Sequence, residues 1–369
     1  MVSRTNIERD LCDLMMIPGL CGYEGRVRSH IKKLLRNEGL ETSTDRLGNL
    51  IATVPGDEAS PTVMLFTHMD QLGFMVRKIE EDGFVRLERV GGVPERALAS
   101  QPVLFQIGEG RDHPGIIANK SHHATAPDEK YRVVPYQELY VDTGLVGAGT
   151  VRNAGIEVGT PVVYRPNVLS FPPDRIAGTA VDDRAGCAVL LEVARHLAGI
   201  DNTPTVHIVF SVQEEFNLRG ALTAAQALKP DIAIQLDLLL TGDTPDMTER
   251  TSVALGGGPG ISLYSFHGRG TLNGTIPHPA LPALFEKAAS AAGLPLQRSA
   301  QSGVLTETSY VQLVEQGVAA IDVGFPCRYT HSSLEMCDLN DLTGLAELLL
   351  AALPMIDSEF SLDRDDFEQ

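Results

Sequence analysis

The chain has no tryptophan, and aromatic residues make up only 5% of its 369 residues, so no aromatic cluster marks a hydrophobic recognition pocket. Long apolar runs are also missing. No stretch approaches the ~18 uninterrupted apolar residues of a membrane span, and the opening MVSRTNIERDLCDLMMIPG lacks the continuous apolar segment of a secretory leader. The expectation is a chain that is neither secreted nor anchored. Cys12, Cys21, Cys187, Cys327 and Cys337 are odd in number, widely spaced and form no CxxC pair, which fits a reducing, cytoplasmic compartment and small buried hydrophobes. Clusters of positive charge are absent too. With 30 Lys and Arg against 48 Asp and Glu, a formal net charge of -18, the chain has no phosphate-binding patch, and nucleic acid is excluded as a partner. The surplus carboxylates keep a chain in solution and would also suit a host for cations; net charge does not separate the two.

Several reaction signatures are missing as well. There is no HExxH and no GxSxG, so the common zincin and serine-hydrolase arrangements lack their anchors. The run GGGPG at 256–260 has neither the Gly-Lys-Ser/Thr of a phosphate loop nor GxGxxG spacing, and reads as a turn between strands.

What is present is an ordinary globular composition, 43% hydrophobic and 21% charged, with length for about two domains. Helical spacing of apolar residues predicts helices over Ile7–Met16 and Glu24–Leu40, and beta-prone runs predict strands over Asn49–Val54 and Thr62–Phe66. Between about Gly73 and Tyr164 the texture changes to short strands (VRLERV, PVLFQIG, GIIANK, ELYVDTG, PVVYRP) separated by turn residues, the pattern of a small barrel or sandwich. Alternation then resumes. The expectation is helix Arg184–Leu197, strand Thr205–Val212, helix Leu218–Leu228, strand Asp231–Asp237, helices Pro279–Ala292 and Thr308–Glu315, strand Val318–Val323 and helix Leu339–Leu353. The economical architecture is an α/β layer domain from residues 1–72 and 165–369, interrupted by an inserted β-barrel domain at 73–164.

Five places carry candidate chemistry. In MLFTHMDQLGF a strand ends on His68, and Asp70, two residues on, points to the same side and can reach the ring nitrogen that is not on a metal. In TAVDDRAGCAVLLEVA, Asp182 and Asp183 precede a helix. N-capping explains one of them well but not both, so Asp182 could bridge two cations while Asp183 orients the loop or caps the helix. In HIVFSVQEEFNLRGA, Glu214 and Glu215 stand side by side after a strand, where like charges repel unless solvated or neutralised; one could ligate a cation while its neighbour shuttles a proton. Asp237 ends an apolar strand in IAIQLDLLLTGDTP and needs a partner there. His331 follows a strand and a Pro-containing turn in VGFPCRYTHSSLE. All five lie near predicted strand ends, where ligands gather in open α/β sheets. Two histidines and three carboxylates, one of them shared, give each of two ions three protein ligands, the pattern of a catalytic pair rather than a closed structural zinc site. Mixed imidazole and carboxylate donors suit Zn, Co or Mn.

The remaining histidines read more plainly. His196 follows Glu192 by four residues, a helix-face pair. His30, His207 and His267 have no carboxylate at a telling spacing and read as core or surface, and His122 and His123 read as a solvated turn.

The set THMDQLGF, AVDDRAG, QEEFNLRGA, IAIQLD and RYTHSSLE, in this order and extending into the insert through GIIANKSHHAT and ELYVDTG, closely resembles the tetrahedral aminopeptidases, which include Frv-type and glutamyl aminopeptidases and members labelled endoglucanase. The resemblance implies a mixed-sheet, zinc-exopeptidase-like α/β/α domain with an inserted barrel, a zinc or cobalt pair, peptide substrates, release of N-terminal residues and a tetrahedral homododecamer. It would place one metal on His68 and Asp237, the other on Glu215 and His331, with Asp182 between them, Glu214 as general base and Asp70 orienting His68. It also implies a cis peptide between Asp182 and Asp183. The chain departs from the family in carrying Asn217 where Gly is usual, and SGVLTETS around Gly303–Thr308 where a GGTDA-like loop is usual; both bear on specificity. Rival chemistries are a metal-dependent amidase or deacylase of acylated amino acids, and glycoside hydrolysis, which needs two facing carboxylates and no metal.

Overall fold

The computed structural model describes residues 1–197, 204–267 and 274–367. A nine-stranded mixed sheet forms its centre. Its inner strands, in spatial order Val206–Ser211, Val63–His68, Ile232–Leu240 and Ala319–Cys327, run parallel to one another. Antiparallel neighbours flank them: Leu50–Val54 and Thr42–Thr44 on one side, Gly260–Phe266 with its partners on the other. The two strands predicted around the turn PGDEASP do not pair with each other, because Val206–Ser211 inserts between them.

The inner strands read as continuous apolar runs because both faces are covered. Along Val63–His68, Val63 and Leu65 enter a large core formed with helices Arg4–Met15, Gly25–Asn37, Val181–Leu197, Ala280–Ala292 and Leu339–Ala352. Met64 and Phe66 face the other way, onto Ala221, Ala224, Ala225 and Val311 of a thinner layer. The alternation is the period-two geometry of a strand, and it makes an α/β/α sandwich. No helix among the described residues is long and apolar enough to cross a membrane.

Strands Gly73–Ile79, Val85–Val90, Val141–Asp142, His113–Ile117, Pro102–Phe105 and Pro161–Tyr164 close into an antiparallel barrel around their own core of Phe74, Val103, Phe105 and Val162. Arg26 grips Asp112 of the barrel through both guanidinium nitrogens, at 2.5 and 2.9 Å. A separate three-stranded sheet, Val168–Phe171, Arg175–Gly178 and Glu335–Asp338, is not anticipated by the alternation pattern.

Three local expectations need correction. Asp237 does not end its strand: Ile232–Leu240 continues to Leu240 because Ala319–Cys327 pairs with it along its whole length, while its other neighbour stops at Gln235↔Phe66. Pro326 is not in a turn. It lies inside Ala319–Cys327, beyond Gly324 where pairing with Gly260–Phe266 ends, so its missing N–H leaves no ladder bond unmade on that side. The helix expected over Thr308–Glu315 is only Thr308–Val311.

Candidate metal and hydrolytic site

The strand Val63–His68 delivers His68 to the carboxyl end of the parallel sheet, and Asp237 arrives from the neighbouring strand just where it outruns the first. Asp182 comes from the start of Val181–Leu197, where Asp182 and Asp183 have non-helical backbone and the peptide between them is cis. Asp183 faces inward. Its carboxylate takes the Gly186 N–H at 3.1 Å, a helix cap, and accepts the Thr67 hydroxyl.

Asp182 stands between two imidazoles. Its Oδ1 is 3.0 Å from His68 Nε2 and its Oδ2 is 3.5 Å from His331 Nε2. Glu215 Oε2 lies 3.8 Å from the same His331 nitrogen, and Glu214 Oε2 lies 4.0 Å from His68 Nε2. His68, Asp182 and Asp237 form one group whose ligand atoms lie within 4.8 Å of one another, and Asp182, Glu215 and His331 form another. These side chains line a cavity of about 610 Å³. Another cavity, of about 630 Å³, lies at the opposite end of the strands near Lys229 and Val318, and no such group lines it among the described residues.

Electrostatics in the site fit a cation. Burial, and the neighbouring Asp183 and Asp182, push Asp237 well above the usual carboxylate range. Glu214 is pushed well above its usual range by burial and by Glu215, Asp237 and Glu307, which outweigh His68. Burial raises Glu215 to about 7 against the pull of His331. Glu215 in turn lifts His331 to about 9, with burial opposing and Asp182 assisting. Burial pushes His68 down, yet Glu214, Asp182 and Asp70 more than reverse it. Crowded carboxylates of this kind repel one another, and divalent charge between them removes the conflict. Glu215 Oε1, buried and without a hydrogen-bond partner among the described residues, is a further oxygen of that kind. The donor set therefore fits metal ions.

A third group, Cys21, Glu24 and Asp70, does not fit. Asp70 spends both carboxylate oxygens on the backbone N–H groups of Glu214 and Glu215, each at 3.0 Å, and Glu24 accepts from Gly22 and Gln213. Asp70 also stands near the His68 ring: its carbonyl oxygen is 3.2 Å from Nδ1 and its carboxylate 3.6 Å. A ring nitrogen so oriented leaves Nε2 facing Asp182.

Two supports escape a reading of the sequence. Glu335, fully enclosed, accepts the backbone N–H of Asp182 at 2.9 Å and of His331 at 2.6 Å. The second bond holds His331 in a left-handed backbone, φ 64°, which a residue with a β-carbon rarely adopts. Glu307 accepts from Ser211 Oγ at 2.5 Å and from the Ala221 N–H at 2.6 Å. Neither acid has a telling neighbour in sequence. From the barrel, the Gly92 carbonyl accepts His331 Nδ1–H at 3.0 Å, and a Cβ on Gly92 would come within 2.8 Å of that nitrogen.

His267, read as core or surface, lines the cavity, as do Asn217 and the loop through Gly303 and Thr306. Asn217 has φ 69°, so the backbone keeps the conformation that glycine would favour there. His196 pairs with Glu192 at 3.0 Å as its spacing suggests, and His122 and His123 sit exposed on a 3-10 turn.

Residues 48–348 match the family of M42 glutamyl aminopeptidases. The chain belongs to this family. Its members are metal-dependent, and membership makes the protein a hydrolase acting on peptides. It is 37% identical to SgcX of Escherichia coli strain K12, which carries an aminopeptidase name, over 98% of this chain and 96% of that one. Among solved structures it is similar to aminopeptidase APDkam598 of the archaeon Desulfurococcus kamchatkensis, with 31% identity, TM-score 0.88 and 97% of each chain covered. It is also similar to the TET1 peptidase of Pyrococcus horikoshii, which can assemble into a tetrahedron or a large octahedral shell, with 25% identity, TM-score 0.83, and 94% of this chain and 99% of that one covered. The mixed sheet and closed barrel are the fold of this M42 family.

Proposed function

We propose that this M42 protein releases single residues from the free N-terminus of peptides, using two divalent cations that share Asp182. The placement of Asp182 between His68 and His331 carries the reading, since each oxygen of one carboxylate faces a different imidazole. His68 and Asp237 would hold one ion, Glu215 and His331 the other. Zinc or cobalt suits these donors, and manganese is compatible. When bound, the pair polarises the scissile carbonyl and makes a water acidic enough to lose a proton at neutral pH.

The chain's own groups do the rest. Glu214, with its carboxyl held well above the ordinary range, accepts the proton of the attacking water and returns it to the leaving amine. Asp70 fixes the Glu214–Glu215 backbone and keeps the His68 ring in register. Glu335 holds Asp182 and His331 at one spacing.

The barrel, residues 73–164, acts as an inserted domain on a catalytic domain formed by 1–72 and 165–369. The protein works in the cytoplasm, as its five free cysteines suggest, and assembles as a homo-oligomer, with a dodecamer as the expected form; light scattering on the purified protein reads its mass.

A panel of aminoacyl p-nitroanilides, run beside N-acylated counterparts with added Zn, Co or Mn, tests the activity. Cleavage of the free-amine set alone is expected. Faster cleavage of the blocked set would replace the aminopeptidase with a deacylase, and EDTA-resistant cellulose hydrolysis would replace it with a glycosidase.

A further inference from the structure

Asp322 is a carboxylate on the inner strand Ala319–Cys327, 4% exposed, opposite Gln235 on one side and Ser262 on the other. It shares a sheet face with Asp237, which lies two residues beyond Gln235 on the adjacent strand. Its Oδ1 accepts the Thr306 hydroxyl at 2.9 Å and the Thr308 hydroxyl also stands close to the carboxylate, while Oδ2 makes no well-formed hydrogen bond among the described residues. Gln301 Oε1, close by, is also buried and unpartnered. The Gln301 amide nitrogen donates to the Leu240 carbonyl at 3.3 Å and to Ser299 Oγ at 3.1 Å, which fixes the orientation of the amide and leaves its oxygen as the free end. Asp322 and Gln301 line a cavity of about 20 Å³. Leu238, Leu240, Val304 and Thr306 form part of its wall and also part of the wall of the candidate catalytic cavity.

We infer that this recess is the end of a subsite for the substrate's N-terminal side chain, and that Asp322 and Gln301 receive the ammonium of a lysine-type residue there. The inference rests on the aminopeptidase reading for the position of the substrate.

Four features of the recess select that occupant. The free carboxylate oxygen and the free amide oxygen are acceptors, so the group that meets them must donate. Burial pushes Asp322 up, to about 6, while the Thr308 and Thr306 hydroxyls favour its charged form, and a carboxylate so placed suits a positive donor. The space suits one water-sized group, which an ammonium is and a planar guanidinium is not. Reach agrees as well. One strand spacing across and two residues back separate Asp237 from Asp322 by roughly 8 Å between Cα atoms, and the apolar flanks of Leu238, Leu240 and Val304 suit the four-carbon stem of lysine. A hydrocarbon end in the same place would leave both acceptors unpaired, and an acidic end would meet Asp322 as a like charge.

The test compares lysyl with norleucyl p-nitroanilide, equal in stem and different only in the terminal charge, with arginyl and glutamyl substrates alongside. The metal-loaded wild type is expected to favour lysyl over norleucyl in kcat/KM by at least ~10-fold. Asp322→Asn, nearly the same shape, removes that preference while norleucyl turnover changes less than ~3-fold, and Gln301→Met lowers it partway. Norleucyl turned over as well as lysyl by the wild type, or an equal loss on both substrates in both variants, would overturn the inference and leave an ordered water in the recess. A protein that cleaves none of the anilides defeats the aminopeptidase reading instead. The subsite is then decided by calorimetry of lysinamide against norleucinamide, where equal affinity in the wild type, or a lysinamide affinity unchanged by Asp322→Asn, overturns it.

Discussion

Glu335 Oε1 accepts the His331 N–H at 2.6 Å, and the other oxygen of the same carboxylate holds Asp182 at 2.9 Å, so one buried acid sets the distance between two candidate ligands from different loops. Glu335→Ala is expected to weaken divalent-metal affinity by ~10- to 100-fold, with Glu335→Gln between it and the wild type. Metal titration by calorimetry on folded protein reads this. Wild-type affinity in Glu335→Ala would mean that the two loops hold their places without it.

Glu214 differs from its neighbour Glu215 in belonging to neither ligand group. Glu214→Gln is therefore expected to keep full metal occupancy while losing at least ~100-fold in turnover. Steady-state kinetics and metal analysis on the same sample give both numbers. Near-normal kcat would remove Glu214 from the proton path.

Chelation probes the crowding of acids directly. EDTA should abolish turnover and lower the melting temperature by at least ~3 °C, because the vacated carboxylates repel. Zn, Co or Mn added back should restore both. Activity that survives exhaustive dialysis against chelator, with the metal content shown to be nil, contradicts the site as drawn.

Far from the cavity, Glu192 ties the start of the chain to the helix Val181–Leu197. It accepts from the Ser3 N–H at 2.6 Å, and its carboxylate is bonded to Asn6, Arg195 and His196. Burial pushes this carboxyl up, but those donors prevail and hold it below its usual value of 4.5. A depressed folded value means stability that is present above that pH and lost as pH falls through the lower folded value. Glu192→Gln should thus melt below the wild type at pH 7, and the gap should shrink toward pH 3. A gap that stays constant with pH would show that shape, rather than charge, is what matters at this position.

The parts of the molecule legible in sequence were those written in local pattern. Continuous apolar runs such as Val63–Phe66 mark inner strands because both of their faces are covered, and the longer apolar stretch in Arg184–Leu197 marks a helix buried against the same sheet. The barrel announced itself through turn residues between short strands. Asp237 and Pro326 lie deeper in their strands than local pattern predicts, because a strand ends where its neighbours stop pairing, a property of the partners and not of the strand. Glu335, Glu307 and Asp322 left no local trace for a related reason. Their partners lie at Asp182, Ser211 and Thr306, and only the fold makes a buried acid meaningful. His267 has no acidic neighbour in sequence, although it lines the cavity.

The carbonyl of Gly92 belongs to the loop that follows the barrel strand Val85–Val90, yet it accepts the ring proton of His331. The barrel is therefore not an interchangeable module. A barrel transplanted from a distant relative would fold around its own core of Phe74-like and Phe105-like positions and still leave His331 free to turn, unless it brought a carbonyl to the same point. Nor could that point carry any side chain, since even a methyl group at position 92 would meet the imidazole. Position 92 is thus coupled to the loop that bears His331, and a change in one must be matched by a change in the other.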